Sequence, residues 1–138
     1  MPRIDLIHNA VKAALIKQKW QIIADPYILE YNTAKLYADL AADRPIAAEQ
    51  SGRQIIVEVK SFLGLSTVQN LKEALGQYDI YLCLLETLAI DRKLYLALSL
   101  EAHQALQKNA ITALVLEKRR IPLIIVNLAS EEIVQWIH

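Results

Sequence analysis

A chain of 138 residues, 54% of them apolar, has material for one full core and too little for two ordinary ones, which predicts a single domain over 1–138. Fifteen basic and fifteen acidic residues cancel to a net charge of zero, unusual for a protein that grips nucleic acid by charge alone. Charges interrupt every apolar run before it is long enough to cross a bilayer, no signal-peptide pattern opens the chain, and one cysteine cannot close an intramolecular disulfide, so a non-membrane protein of the reducing cytoplasm is expected.

From Ile4 to about Gln18, Ile4, Ile7, Val11, Ala14 and Leu15 recur at helical spacing, while Asp5, His8, Asn9 and Lys12 share a more polar side. Trp20 to Ala24 reads as a strand closed by Asp25-Pro26, and Tyr27 to Tyr31 is again extended. Asn32-Thr33 turns the chain into a strand from Lys35 to Ala42, which carries Asp39 and is broken by Asp43-Arg44-Pro45. Ile46 to Gln50 and Arg53 to Lys60 then read as two strands around a Ser51-Gly52 turn.

Ser66 is placed to cap a long helix ending near Glu86, with Leu71, Leu75, Tyr78, Leu82 and Leu85 as its buried stripe and Gln77 and Tyr81 one turn apart beside it. Cys83 reads as a small core residue of that helix. Leu94 to Leu98 is a buried strand, parallel to the Arg53–Lys60 strand if the helix between them is a crossover. Helices over 101–107 and 110–118, a strand over 122–126 and a closing strand over 132–137 complete the chain, with Trp136 expected in the core.

The stretch R-Q-I-I-V-E-V-K-S-F, from Arg53 to Phe62, carries the chemistry. Side chains alternate along a strand, so Ile55, Val57 and Val59 share one face and Ile56, Glu58 and Lys60 the other. Apolar residues on both faces mark the middle of a sheet, where a carboxylate and an ammonium at the strand's end are costly unless paired or bound to something. Asp39, nineteen residues before Glu58, adds a second acid on a neighbouring strand. Two hard oxygen ligands beside a lysine suit a magnesium-dependent phosphodiesterase, and the pattern resembles the PD-(D/E)XK nuclease superfamily. The bland alternative is a surface ion pair between Glu58 and Lys60.

Glu49 is a third acid whose facing depends on sheet register, and His8, one turn from Asp5, approaches the site only if the first helix packs there. Lys12, Lys17, Lys19 and Lys118-Arg119-Arg120 either line a basic groove or form solvated surface. One cysteine and the scattered His8, His103 and His138 offer no zinc spacing, and three glycines make no phosphate loop.

Longer blocks narrow the resemblance. The opening I-H-N-A-V-K-A-A-L-I-K, the central A-A-E-Q-S-G-R-Q-I-I-V-E-V-K-S-F-L-G, the helical A-L-G-Q-Y and the ending E-E-I-V-Q-W-I resemble the XisH family, the cyanobacterial fdxN-element excision controlling factors, over essentially the whole chain. The resemblance implies an α/β (α+β) fold of restriction-endonuclease type, a central mixed β-sheet flanked by helices, with a role in DNA-element excision during heterocyst formation. It also implies a XisI-type companion protein. Carried over residue by residue, Asp39 and Glu58 would hold Mg²⁺ or Mn²⁺, Lys60 would be the charged partner, and Gln77 and Tyr81 would match the Q-x-x-x-Y element that follows the site in some relatives. Ala38 stands where the superfamily's name puts Pro, and Asp5 or His8 where many relatives place Glu.

Two functions follow as expectations. One is a controlling or accessory factor in excision with an endonuclease-like fold that could itself act as a Mg²⁺-dependent DNA endonuclease, with a homodimer as the natural way to address two strands. The other is a catalytically silent regulator that binds a XisI-type companion or a recombinase.

Overall fold

The computed structural model describes residues 3–45, 52–62 and 66–138. Its elements are α1 (Arg3–Lys17), β1 (Gln21–Ala24), β2 (Tyr27–Tyr31), β3 (Ala34–Ala38), β4 (Leu40–Arg44), β5 (Arg53–Val59), α2 (Thr67–Thr87), β6 (Lys93–Ser99), α3 (Leu100–Lys108), α4 (Ala110–Arg119), β7 (Leu123–Asn127) and β8 (Glu132–Ile137). Six strands form one sheet in the order β1-β4-β5-β6-β7-β8, and β2 and β3 form a separate antiparallel ribbon. β5, β6 and β7 run parallel, and the outer pairings are antiparallel, so the sheet is mixed and the expected α/β class holds.

Two cores sit on the two faces. Ile55, Val57 and Val59 join Ile7, Val11, Ala14 and Leu15 of α1, while Ile56 joins Leu71, Tyr78 and Leu85 of α2 together with Leu106 of α3 and Leu116 of α4. β5 is therefore covered on both sides, as its double apolar pattern predicts, and burying each such aliphatic side chain stabilises by about 1.5–3 kcal/mol. Each helix after β5 starts on a cap: Ser66 Oγ accepts from Gln69 N at 3.1 Å, Ser99 Oγ from Ala102 N at 3.0 Å, and Asn109 Oδ1 from Ile111 N at 3.0 Å. Among the described residues no helix is long and apolar enough to cross a membrane.

The strand expected over Lys35–Ala42 is two strands broken at Asp39. Ala38 lies in the core beneath α2 and Leu40 in the core beneath α1, although residues two apart on a continuous strand share a face. The chain changes phase at Asp39, and β3 leaves for the ribbon while β4 enters the main sheet. β4 also runs on to Arg44, because Arg44 pairs with Arg53 across the ladder and only Pro45 ends it. The expected Ile46–Gln50 strand, Ser51 and Glu49 lie outside the described residues. Two further expectations are corrected. Cys83 is exposed, lying about 200° around α2 from buried Tyr81, and Trp136 is only half-buried, its ring stacked among other aromatics at the sheet's far end.

Gly52 enters β5 with φ +61°, and a Cβ there would meet the Arg44 carbonyl oxygen at 2.5 Å and Pro45 Cα at 2.9 Å. Both the left-handed backbone and the close approach require glycine. Gly52→Ala is expected to cost about 2 kcal/mol and lower Tm by roughly 6 °C, read by urea and thermal unfolding.

Candidate active site

The break at Asp39 lies against the end of β5, and the two acids hold each other's backbone. Asp39 N–H donates to Glu58 Oε1 at 3.2 Å, and Val59 N–H donates to Asp39 Oδ2 at 2.7 Å. The strand break leaves the Asp39 amide without a ladder partner, and the Glu58 carboxylate supplies one. Each acid keeps a second oxygen: Glu58 Oε2 lies 3.4 Å from Lys60 Nζ, and Asp39 Oδ1 lies 3.8 Å from His8 Nδ1.

Lys60 is held from the far side by α2. Its Nζ donates to Gln77 Oε1, Gln77 Nε2 donates to the Tyr81 hydroxyl at 3.0 Å, and that hydroxyl donates to the Tyr37 carbonyl at 2.9 Å. Gln77 and Tyr81 are one helical turn apart, so a single face of α2 carries the relay from Lys60 to the last turn of ribbon before Asp39. Burial and the Glu58 charge push the Tyr81 phenol upward in pKa, which keeps it a neutral donor. The five residues expected to share a site, Asp39, Glu58, Lys60, Gln77 and Tyr81, are brought together, and Tyr81 is in the core rather than on a helix shoulder.

A second layer comes from α1. His8 Nε2 lies 2.9 Å from Asp25 Oδ1, and Lys12 Nζ donates to Asp25 Oδ2 at 2.8 Å. Burial acts to raise the Asp25 carboxyl, but the Lys12 hydrogen bond and the charges of His8 and Lys12 outweigh it and hold the group below the usual range. Asp25 was hidden in the sequence behind its proline, as a turn signal. The available clue is that His8 and Lys12 are four apart and so present one face of α1 to it. Of the other basic candidates, Lys17 Nζ donates to the Ser130 carbonyl and Lys118, Arg119 and Arg120 are exposed at the end of α4, none of them at this site.

A family profile described as XisH protein matches residues 1–134. The chain belongs to the XisH family. The crystal structure of a XisH family protein from Nostoc punctiforme is similar at 32% identity and a TM-score of 0.84, over 97% of this chain and 100% of that one. That of a fdxN element excision controlling factor protein from Anabaena variabilis is similar at 32% identity and a TM-score of 0.83, over 97% of this chain and 99% of that one. No curated protein matches.

In this XisH-family chain the electrostatic strain falls on Glu58. The residue is 5% exposed, and burial first, then the Asp39 charge, push its carboxyl up to about 7 against the opposing pull of Lys60. Among the described residues no three His, Cys, Asp or Glu side chains are grouped to hold a metal ion. The donors are the two carboxylates, which suits a hard cation that keeps part of its water shell and takes further oxygens from a phosphate, as Mg²⁺ does. A cation there would also offset the charge that burial and Asp39 make costly.

Between the ordinary value of 4.5 and about 7 the folded protein holds a proton on Glu58 that the unfolded chain has lost. Stability from this group is complete below pH 4.5 and falls as pH rises through 7, by about 3 kcal/mol in all. Urea unfolding from pH 4.5 to 8 should show this loss in the wild type, whereas Glu58→Gln, which cannot ionise, should flatten it. A variant that keeps the wild-type pH slope would contradict the assignment.

Proposed function

We propose that this XisH-family chain is a divalent-cation-dependent DNA endonuclease of restriction-endonuclease-like, PD-(D/E)XK type that cuts or nicks DNA in the control of element excision. The observation that carries the proposal is the convergence of Asp39, buried Glu58 and Lys60 at one end of β5, with Lys60 tethered to α2. The similarity to a protein named for control of fdxN element excision supplies the biological setting.

In this reading Asp39 and Glu58 would hold Mg²⁺ or Mn²⁺, which would supply a more acidic bound water and a counter-charge for the phosphodiester. Lys60 stabilises the charge that builds on the phosphate, and the Gln77–Tyr81 relay fixes where its ammonium sits before substrate arrives. His8, held by Asp25, lies 3.8 Å from the outer oxygen of Asp39, and the Val59 amide sets that carboxylate's orientation.

A second reading is favoured by the zero net charge and by the exposed Ile28, Tyr31 and Tyr37 of the β2–β3 ribbon. In it the chain is a silent regulator that docks a XisI-type companion or a recombinase, and Asp39→Ala leaves both partner capture and excision intact.

Calorimetry and plasmid relaxation separate the two. The endonuclease reading expects Mg²⁺ or Mn²⁺ binding that Asp39→Ala and Glu58→Ala abolish. It also expects Lys60→Ala to keep the cation while losing about 10²-fold in nicking rate. Supercoiled, linear and branched DNA all left intact, with and without the companion, would remove it.

A further inference from the structure

The other end of β5, roughly 16 Å along the strand from Glu58, opens on a cavity of about 620 Å³ on the α1 side of the sheet. That volume is within the range of small-molecule sites. Its lining has two parts. One is aromatic: the Trp136 and His138 rings are parallel to within 6° at 5.9 Å, Trp20 is tilted against Trp136 at 5.7 Å, and Tyr95 meets Trp136 edge-on at 5.2 Å. The other is cationic. Arg44 and Arg53 are direct cross-strand partners on β4 and β5, and Lys93 opens β6 opposite Ile55. Like charges set opposite each other on a ladder repel, yet among the described residues no carboxylate pairs with any of the three, whereas nearby Arg92 pairs with Asp43 at 2.8 Å.

We propose that this cavity is a nucleotide-binding site, with the base stacked on the aromatic wall and the phosphate taken by Arg44, Arg53 and Lys93. A bare anion would leave the wall unused, and an uncharged aromatic ligand would leave the facing Arg44 and Arg53 without a counter-charge among the described residues, while the Lys93 ammonium lies 5.4 Å over the Tyr95 ring of the aromatic wall. A nucleotide uses both halves. The ligand is either a free mononucleotide or a nucleotide of a DNA strand. The site stands apart from the acids at the other end of β5 and does not depend on cation chemistry there.

The chain's two tryptophans, Trp20 and Trp136, both line the cavity, so intrinsic fluorescence reports its occupancy. The full chain is titrated with dAMP, deoxyadenosine, inorganic phosphate and a ten-residue deoxythymidine oligonucleotide. Saturable quenching by dAMP or the oligonucleotide is expected, with deoxyadenosine and phosphate at least tenfold weaker than dAMP. Arg44→Gln with Arg53→Gln should weaken binding at least tenfold with circular dichroism unchanged, and Lys93→Gln serves as the probe if the double variant does not fold. Asp39→Asn should bind as wild type, which separates this site from the acidic one. An oligonucleotide more than tenfold tighter than dAMP makes the ligand a DNA strand, and equal or weaker binding makes it a free nucleotide. No saturable quenching, quenching untouched by the charge variants, or phosphate competing as well as dAMP would overturn the proposal.

Discussion

The exchange of hydrogen bonds between Asp39 and the end of β5 is the contact on which the rest of the site depends. A strand that breaks inside a protein leaves an amide without a ladder partner, and a buried amide must find one. Here the Asp39 amide finds the Glu58 carboxylate, and the Asp39 carboxylate in turn takes the Val59 amide. The same two bonds let β3 depart into the ribbon, hold the two acids beside each other, and leave each with one outward oxygen. Geometry that looks catalytic is thus also the repair of a backbone fault.

Around that contact the structure separates what must be rigid from what must be charged. β5 is enclosed by α1 on one face and by α2, α3 and α4 on the other, so its end is fixed in place by aliphatic packing. Lys60 lies just beyond the enclosed part and is the one member whose side chain has a long flexible stem. The Gln77–Tyr81–Tyr37 relay removes that freedom, tying the ammonium to the helix and to the ribbon at once. Tyr81 does this from within the core, so the relay inherits the stiffness of the packing beneath it.

Much of this was visible in the residue order because it is local. The two-faced apolar pattern of Arg53–Val59 announces a central strand, Ser66 announces a helix start, and the D-to-E-x-K spacing announces an acid pair near a lysine. What was not visible depends on contacts far apart in the chain. The stretch from Leu36 to Ala42, apolar apart from Asp39, gives no sign that Ala38 and Leu40 face different cores, because only the arrival of β5 decides the phase. Asp25 reads as a turn residue until α1 packs over it. Cys83 fits a core by composition, and only the helix's rotation exposes it, while Trp136 packs half-buried against the α1-side core among four aromatic rings at the sheet's far end.

Glu58 has one more consequence, for how the sheet chooses its alignment. Ile55 to Val59 are apolar apart from this residue, and an apolar strand buried on both faces has little to tell one register from the next. A slip of one position against β4 and β6 would turn Glu58 away from Asp39 and Lys60 and press a bare carboxylate into the aliphatic layer under α1, while the Asp39 amide lost its acceptor. Every odd slip carries that double cost, and a slip of two, which keeps the face, still parts Glu58 from the Asp39 amide; the native register carries neither. The least comfortable side chain of the strand is thereby the mark that indexes it.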